Sequence, residues 1–357
     1  MGFEDRIRKV VPYVPGEQPK AANVIKLNTN ESPYPPSPKV KEALQELDAD
    51  RLRLYPDPAA SELVNAIAEY YGLSEKEVFV GVGSDDVLAM CFMTFFNSED
   101  PILFPDITYS FYDVWADLLR IPYRQLPLDE NFDIRPEDYT GRNGGVIFPN
   151  PNAPTGALLP LEQIRQIARA NQDSIVIIDE AYIDFGGESA LPLIHEFKNV
   201  VVTQTFSKSR NLAGLRIGCA MADEKLIKYL NDVKYSFNSY TMNMPAIKAG
   251  AAAIRDRAYF ESCTAKIRAT RERATKMLRD LGFELRDSSA NFVFATHPQV
   301  DAKEIFDYLK SKNIFVRWWG KPRINRYLRI TIGTDREMEA LGEALKSFLK
   351  EKGLFEA

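Results

Sequence analysis

The sequence predicts an α/β fold. A large domain is built around a doubly wound, mostly parallel sheet, and a smaller α+β domain is formed by the C-terminal part and the N-terminal segment. Three observations predict it. From residue 78 to about 221, short apolar segments alternate with helical patterns, the signature of βα units. Residues 175–178 and 200–202 are apolar at every position, as strands covered on both faces must be. Beyond residue 281, strand and helix patterns mix without strict alternation, which marks off a second unit.

In chain order, residues 1–36 are rich in Pro, Asn and Tyr and lack periodicity, so they read as an extended arm. Ser37-Pro38 opens a helix over 39–48. A second helix follows Pro58 and runs to Tyr71: Leu63, Ile67 and Tyr70 recur at helical spacing, and Gly72 ends it. A strand over 78–80 runs into Gly81-Val82-Gly83-Ser84, and Ser84 opens a helix to Phe96. Strand 102–104 precedes helix 109–119, and strand 146–148 precedes helix 161–170. Strands 175–178 and 200–202 follow, with a further strand over 215–221. A long helical stretch over 244–281 bridges to the second unit. That unit reads strand 292–295, helix 301–311, strands 314–318 and 327–332, and helix 335–351. The expected division is 1–45 for the arm and part of the small domain, 46–264 for the large domain, and 265–357 for the small C-terminal domain.

Composition narrows the function. The chain has 357 residues, with 45 Lys and Arg against 50 Asp and Glu, for a net charge of −5. That mild acidity argues against nucleic acid and against a polybasic membrane surface. No apolar run approaches the roughly 18 residues that a bilayer span needs. The first residues carry no apolar signal core, and Arg6 stands where a myristoylation pattern needs Ser or Thr. Cys91, Cys219 and Cys263 are far apart and odd in number, which suits a reducing cytoplasm and excludes a disulfide framework. His195 and His297 stand at no predicted strand end beside a nucleophile and read as surface or structural residues, so no metal site is expected.

In an open parallel sheet, ligands bind outside the carboxyl ends of the strands. Strand 174–178 ends in Asp179-Glu180-Ala181-Tyr182, and the strand from Val200 ends in Thr205-Phe206-Ser207-Lys208. Arg216 follows within Gly214-Leu215-Arg216-Ile217-Gly218. The helix start at Gly83 and Ser84 offers backbone N–H groups and a dipole suited to phosphate. Thr205, Ser207 and Arg216 add hydroxyls and a fixed cation. A nearby cation and partial burial would lower the Lys208 pKa and make it a competent imine-forming amine. Asp179 could hold a pyridine nitrogen protonated. Lysine plus aspartate in this arrangement is the logic of a pyridoxal-phosphate site.

Other readings of these residues are weaker. An apolar strand ending in Asp-Glu also describes a magnesium-binding ATPase strand, but the phosphate loop is missing, because Gly320-Lys321 is followed by Pro322. Gly81-x-Gly83 with Asp106 resembles the start of a dinucleotide fingerprint, but Asp86 occupies the third glycine position. Lys208 alone would be read as a solvated surface lysine; the set, in this order at strand ends, carries the weight.

The run from Thr205 to Lys208 and on through Gly214 to Gly218 resembles the lysine motif of fold-type I, aspartate-aminotransferase-like enzymes. Asn28-Thr29-Asn30-Glu31-Ser32-Pro33-Tyr34, Tyr55-Pro56, Asp179-Glu180-Ala181-Tyr182 and Leu328-Arg329-Ile330-Thr331-Ile332-Gly333 resemble its histidinol-phosphate aminotransferase branch. The likeness runs from Tyr13 to Thr334. It implies pyridoxal 5'-phosphate as cofactor, with Lys208 as the Schiff-base lysine and proton shuttle. Asp179 is implied at the ring nitrogen, Tyr182 at the phenolic oxygen and Tyr109 stacked on the ring. Ser84, Asp85, Ser207 and Arg216 would take the phosphate, the first two mainly through their backbone, with Thr205 among the cofactor-binding residues. Tyr55 would reach the phosphate of a neighbouring subunit, which implies a homodimer. Arg317 and Arg329 would bind the anionic end of the substrate, with Tyr13 closing over it and Asn30 beside it. The implied substrates are histidinol phosphate and glutamate or 2-oxoglutarate. Aromatic-amino-acid aminotransferases and threonine-phosphate decarboxylases share the fold and remain alternatives.

One position departs from the family pattern. The Asn that usually precedes Pro-Thr-Gly is Ala153 here. Either Asn152 takes over the contact to the phenolic oxygen after a small shift, the expected outcome, or Tyr182 supplies it alone. Arg323 and Arg326 fall in the loop before the last strand, either solvated or helping to hold a substrate phosphate.

Overall fold

Seven strands form the main sheet of the computed structural model, which describes residues 2–20 and 23–355. Their spatial order is Val78–Gly81, Gly218–Ala222, Val200–Thr205, Val176–Asp179, Gly145–Pro149, Ile102–Pro105 and Tyr123–Leu126. Only Gly218–Ala222 runs antiparallel to its neighbours. Side chains alternate across the sheet: Val176, Ile178, Val200 and Val202 join the core on one face, and Ile177 and Val201 join the core on the other. Both faces are covered, which is why these strands open on unbroken apolar runs and keep their polar residues, Asp179, Thr203, Gln204 and Thr205, toward the carboxyl ends.

A second, four-stranded antiparallel sheet has the order Arg317–Trp318, Leu328–Thr331, Phe292–Thr296, Glu284–Leu285. It shares a separate apolar core with the helices Arg257–Asp280, Ala302–Ser311 and Asp335–Glu351. Helix Arg257–Asp280 runs through the expected boundary between 264 and 265 without a break. No helix among the described residues is long and apolar enough to cross a membrane.

Several expected elements keep their limits. Helix Leu161–Ala170 and helix Asp335–Glu351 span the expected residues, the latter opened by a capping box between Thr334 and Glu337. Gly72 ends helix Ser61–Tyr71 at φ 68, a left-handed conformation that costs glycine little.

Other expectations are corrected. The stretch 244–281 is two helices, Met244–Arg255 and Arg257–Asp280, because Asp256 leaves helical geometry and its carboxylate caps the second. The strand expected over 215–221 begins only at Gly218, since Arg216 sits at φ 53. The helix expected from Tyr109 starts at Tyr112, which frees Tyr109 to face the sheet's edge. The segment 314–318 divides into Ile314–Phe315 and Arg317–Trp318, which pair with different partners. The arm is not wholly irregular: Ile25–Lys26 pairs in parallel with Ile314–Phe315. Further elements go beyond those expected, among them strand Glu284–Leu285 and helix Leu193–Glu196. Strand Tyr123–Leu126 is an edge strand with three exposed residues, and helix Glu224–Phe237 buries Leu226, Ile227 and Leu230. The parts of the arm and of the C-terminal domain that fall on residues 1, 21, 22, 356 and 357 lie outside the described residues.

Candidate active site

The carboxyl ends of the parallel strands bring the predicted residues together. One cavity of about 260 Å³ is lined by Ser84, Asp85, Asp179, Thr205, Ser207 and Arg216, and also by Tyr109, Tyr182 and Lys208. A second, of about 510 Å³, is lined by Tyr13, Asn30, Arg317 and Arg329 among others. The two share Thr29, Tyr109, Ala153, Tyr182 and Lys208, so they form one continuous space. A wider open groove of about 1280 Å³, along Lys76, Asp223 and Lys228, holds none of these residues.

Lys208 follows the strand Val200–Thr205. The Thr205 hydroxyl accepts from the Ser207 N–H at 3.1 Å and turns the chain there. Lys208 Nζ donates to the Thr29 carbonyl at 3.0 Å. Desolvation, with a smaller push from the Arg329 charge, lowers its pKa to about 8. With that value about a tenth of the amine is free at pH 7, far more than at the ordinary lysine value.

Asp179 is 4% exposed. Burial raises its pKa to about 6, against hydrogen bonds donated by the Tyr112 hydroxyl at 2.9 Å and the Ala181 N–H at 3.2 Å. The Tyr182 hydroxyl accepts from Asn30 Nδ2 at 2.9 Å, and Asn30 Oδ1 accepts in turn from the Thr331 hydroxyl at 2.9 Å. Residues of the arm and of the second sheet thereby fix a side chain of the first.

The lining also carries groups suited to an anion. Helix Gly83–Phe95 begins there with no side-chain cap, which leaves its first backbone N–H groups available. Arg216 reaches it through its left-handed backbone, donating to Ser207 Oγ at 3.3 Å and pairing with Asp85 at 3.2 Å. A Cβ at Gly83 would lie 2.4 Å from Arg216 Nη2, so glycine is required for that approach. The Tyr109 hydroxyl donates to Asp85 at 2.6 Å, which holds the ring against the cavity.

In the larger cavity, Arg317 and Arg329 stand directly opposite in an antiparallel pair. Both guanidiniums lie over the Trp319 ring, at 5.3 and 5.2 Å. Arg329 donates to the Asn28 carbonyl at 2.8 Å, while its buried Nε finds no partner. Tyr13 stacks on Phe111 at 4.2 Å and brings the arm over the opening.

Four residues singled out in the sequence stand elsewhere or are differently engaged. The Asn152 side chain lines neither cavity: its amide donates to the Ile107 carbonyl and the Thr155 hydroxyl, both at 3.0 Å. Ala153 faces the space instead, so the expected takeover by Asn152 is corrected by a loop that uses both of its N–H groups internally. Tyr55 is 80% exposed, stacked on Tyr240, and lines neither cavity of its own chain. Arg323 pairs with Asp106 at 3.1 Å and donates to the carbonyls of Leu128 and Asp129, while Arg326 is exposed. Sequence reasoning missed Tyr112. Its one signal is its place three residues after Tyr109, on the same side of a helix start.

The donor set fits pyridoxal phosphate: an amine, a buried carboxylate, a phenol and an anion cradle around one space. The model of the aminotransferase class I and II family matches residues 22–345. The chain is 54% identical to histidinol-phosphate aminotransferase 1 of Hydrogenovibrio crunogenus over 96% of this chain and 97% of the other. It is 50% identical to the histidinol-phosphate aminotransferase of Lactococcus lactis over 99% of each. The crystal structure of histidinol-phosphate aminotransferase from Sinorhizobium meliloti, in complex with pyridoxal-5'-phosphate, superposes with a TM-score of 0.84 at 27% identity, covering 92% of this chain and 91% of that one. The chain therefore belongs to the class I and II aminotransferase family, of fold type I.

Proposed function

We propose that the chain is a pyridoxal-phosphate-dependent aminotransferase of histidine biosynthesis, exchanging an amino group between histidinol phosphate and 2-oxoglutarate. The observation that carries this reading is the continuous space itself. Lys208, Asp179 and Arg216 line one end, and an uncompensated arginine pair lines the other. Relatives of that name, identical at half the positions along the whole chain, support the choice of substrate.

When bound, pyridoxal phosphate supplies an aldehyde for imine exchange and a protonated ring that takes up electrons released at the substrate's Cα. The chain's own residues do the rest. Ser84, Asp85, Ser207 and Arg216 would hold the phosphate, the first two through their backbone. Asp179 would keep the ring nitrogen protonated, and Tyr109 would stack on the ring. Tyr182 would donate to the phenolic oxygen; with Asn30 donating to its oxygen, the phenol's own proton stays available for that contact. Lys208 Nζ would remove the Cα proton and return it to the cofactor carbon C4′. Arg329 and Arg317 would clamp a phosphate in one half-reaction and a carboxylate in the other, since a planar guanidinium pairs with either. Tyr13 would close the space against water.

The active form is a homodimer in the cytoplasm under this proposal. Tyr55, with the exposed Leu52 and Leu54 near it in sequence and Tyr240 stacked on it, offers an apolar surface for a second copy, and Tyr55 would reach the partner's phosphate.

A donor panel tests the substrate. With 2-oxoglutarate as acceptor, histidinol phosphate is expected to give a kcat/KM at least about 10-fold above phenylalanine and tyrosine, because only it presents a dianion to the arginines. Carbon dioxide release from threonine phosphate, or a preference for phenylalanine, would replace this substrate with another. A second test uses pH. The Lys208 amine is charged below about 8 and neutral above it. Loading of the cofactor-free chain, followed by its visible absorption band, is expected to accelerate about tenfold per pH unit below that value and to level off above it. A midpoint at the ordinary lysine value would show that the site does not lower the pKa of the receiving amine.

A further inference from the structure

Asp179 sits at the bottom of the smaller cavity, and its carboxylate has no ion-pair partner among the described residues. It accepts two hydrogen bonds from the protein. One comes from the Ala181 backbone, which any residue at 181 other than proline would supply. The other comes from the buried Tyr112 hydroxyl at 2.9 Å. Tyr112 is 0% exposed and wedged among Phe92, Phe104, Tyr109 and Trp115. That packing fixes the phenol and denies it any rotation away from the carboxylate. A ring needed only for core filling would carry no hydroxyl, since burying one without a partner is costly.

We propose that Tyr112 is a positioning residue whose hydroxyl keeps Asp179 ionised, so that the proton shared between Asp179 and a bound pyridine ring rests on the ring nitrogen. The inference rests on the functional reading above and deepens it. Its physical basis is a competition. In a buried site, the neutral pair of protonated acid and unprotonated ring is favoured by desolvation, and the ion pair is favoured by donors to the carboxylate. Cys91, Asp85, Tyr109 and Tyr182 lie close enough to Asp179 for their charged forms to feel each other. None of them is a cation, and none donates a hydrogen bond to its carboxylate. The Tyr112 hydroxyl is therefore the only side-chain donor that opposes burial among the described residues. An electron sink works only while the ring is charged, so a hydroxyl remote from the substrate would set the rate.

The test loads full-length wild type and Tyr112→Phe with pyridoxal phosphate labelled with ¹⁵N in the ring. In the variant at neutral pH, the ring ¹⁵N resonance is expected to move toward the unprotonated position. The kcat is expected to fall about 10-fold while KM stays within about 2-fold. Fluorotyrosine at position 112 keeps the shape and is a stronger donor, so it is expected to leave the ring nitrogen fully protonated. If Tyr112→Phe does not fold, the fluorotyrosine protein decides: movement toward the unprotonated position overturns the proposal. An unchanged ¹⁵N resonance in a folded Tyr112→Phe also overturns it. Wild type that takes up no cofactor would instead overturn the functional reading, and the two failures are distinguishable.

Discussion

Lys208→Ala is expected to lower turnover by at least about 10³-fold while leaving cofactor binding largely in place. The two halves of this expectation have separate causes. The anion cradle of helix Gly83–Phe95, Ser207 and Arg216 does not involve the lysine side chain, and neither does Asp179. Affinity for the phosphate and ring should therefore survive. Proton movement at the substrate's Cα has no obvious substitute. Tyr182 faces the same space, but burial holds its hydroxyl above its ordinary pKa, which makes it a poor base. Asp179 is engaged by Tyr112 and Ala181. Equilibrium dialysis would report retained cofactor, borohydride treatment would leave none attached to the chain, and single-turnover kinetics would report the loss. Normal turnover in this variant would end the proposed mechanism.

How far the sequence discloses such a site depends on the kind of constraint each residue carries. Lys208 and Asp179 are legible because each stands where an apolar run gives way to polar residues, at the carboxyl end of a strand buried on both faces. A polar residue immediately after such a strand is marked by position as well as type. The helix start at Gly83 is legible for the same reason. Asn152 is not, because it lies in a Pro-rich loop whose turns decide which amide faces the cavity. There the choice falls to contacts with Ile107 and Thr155. Tyr112 is hidden by its own success as a core residue, since an aromatic at a helix start reads as packing until its hydroxyl is seen to meet a carboxylate 67 positions away.

The fold shows the same division. Alternating units over 78–221 follow from local pattern, and most of their limits hold. Strand Tyr123–Leu126 escapes because an edge strand with three exposed residues has no apolar alternation to announce it. Pairing of Ile25–Lys26 with Ile314–Phe315 depends on a partner from the far end of the chain, which local propensity cannot reveal. Arg323 is similar: its role as a tie to Asp106 rests on a contact 217 positions distant, so its charge alone suggests a ligand.

Arg329→Ala is expected to reduce kcat/KM by about 10²- to 10³-fold for both half-reactions, without lowering the melting temperature of the unliganded protein. The cation is placed at a cost. It stands across from Arg317 in register, and like charges directly opposite repel. Its Nε is buried without a partner, and it forms no ion pair among the described residues. Desolvation accordingly pulls its pKa below the ordinary value. The faces of Trp319 and Phe292 and the Asn28 carbonyl offset this in part. Such an arrangement is poor as architecture and suited to an arriving anion, which would be paired bidentately in a site with little water. Removing the guanidinium therefore relieves the empty protein while it deprives both the phosphate and the carboxylate of their partner. A structural arginine would behave in the opposite way, with stability falling and kinetics following it. Calorimetry together with initial rates for histidinol phosphate and for glutamate separates these outcomes. A melting temperature lowered by several degrees with unchanged kcat/KM would assign Arg329 to the fold and remove it from the substrate site.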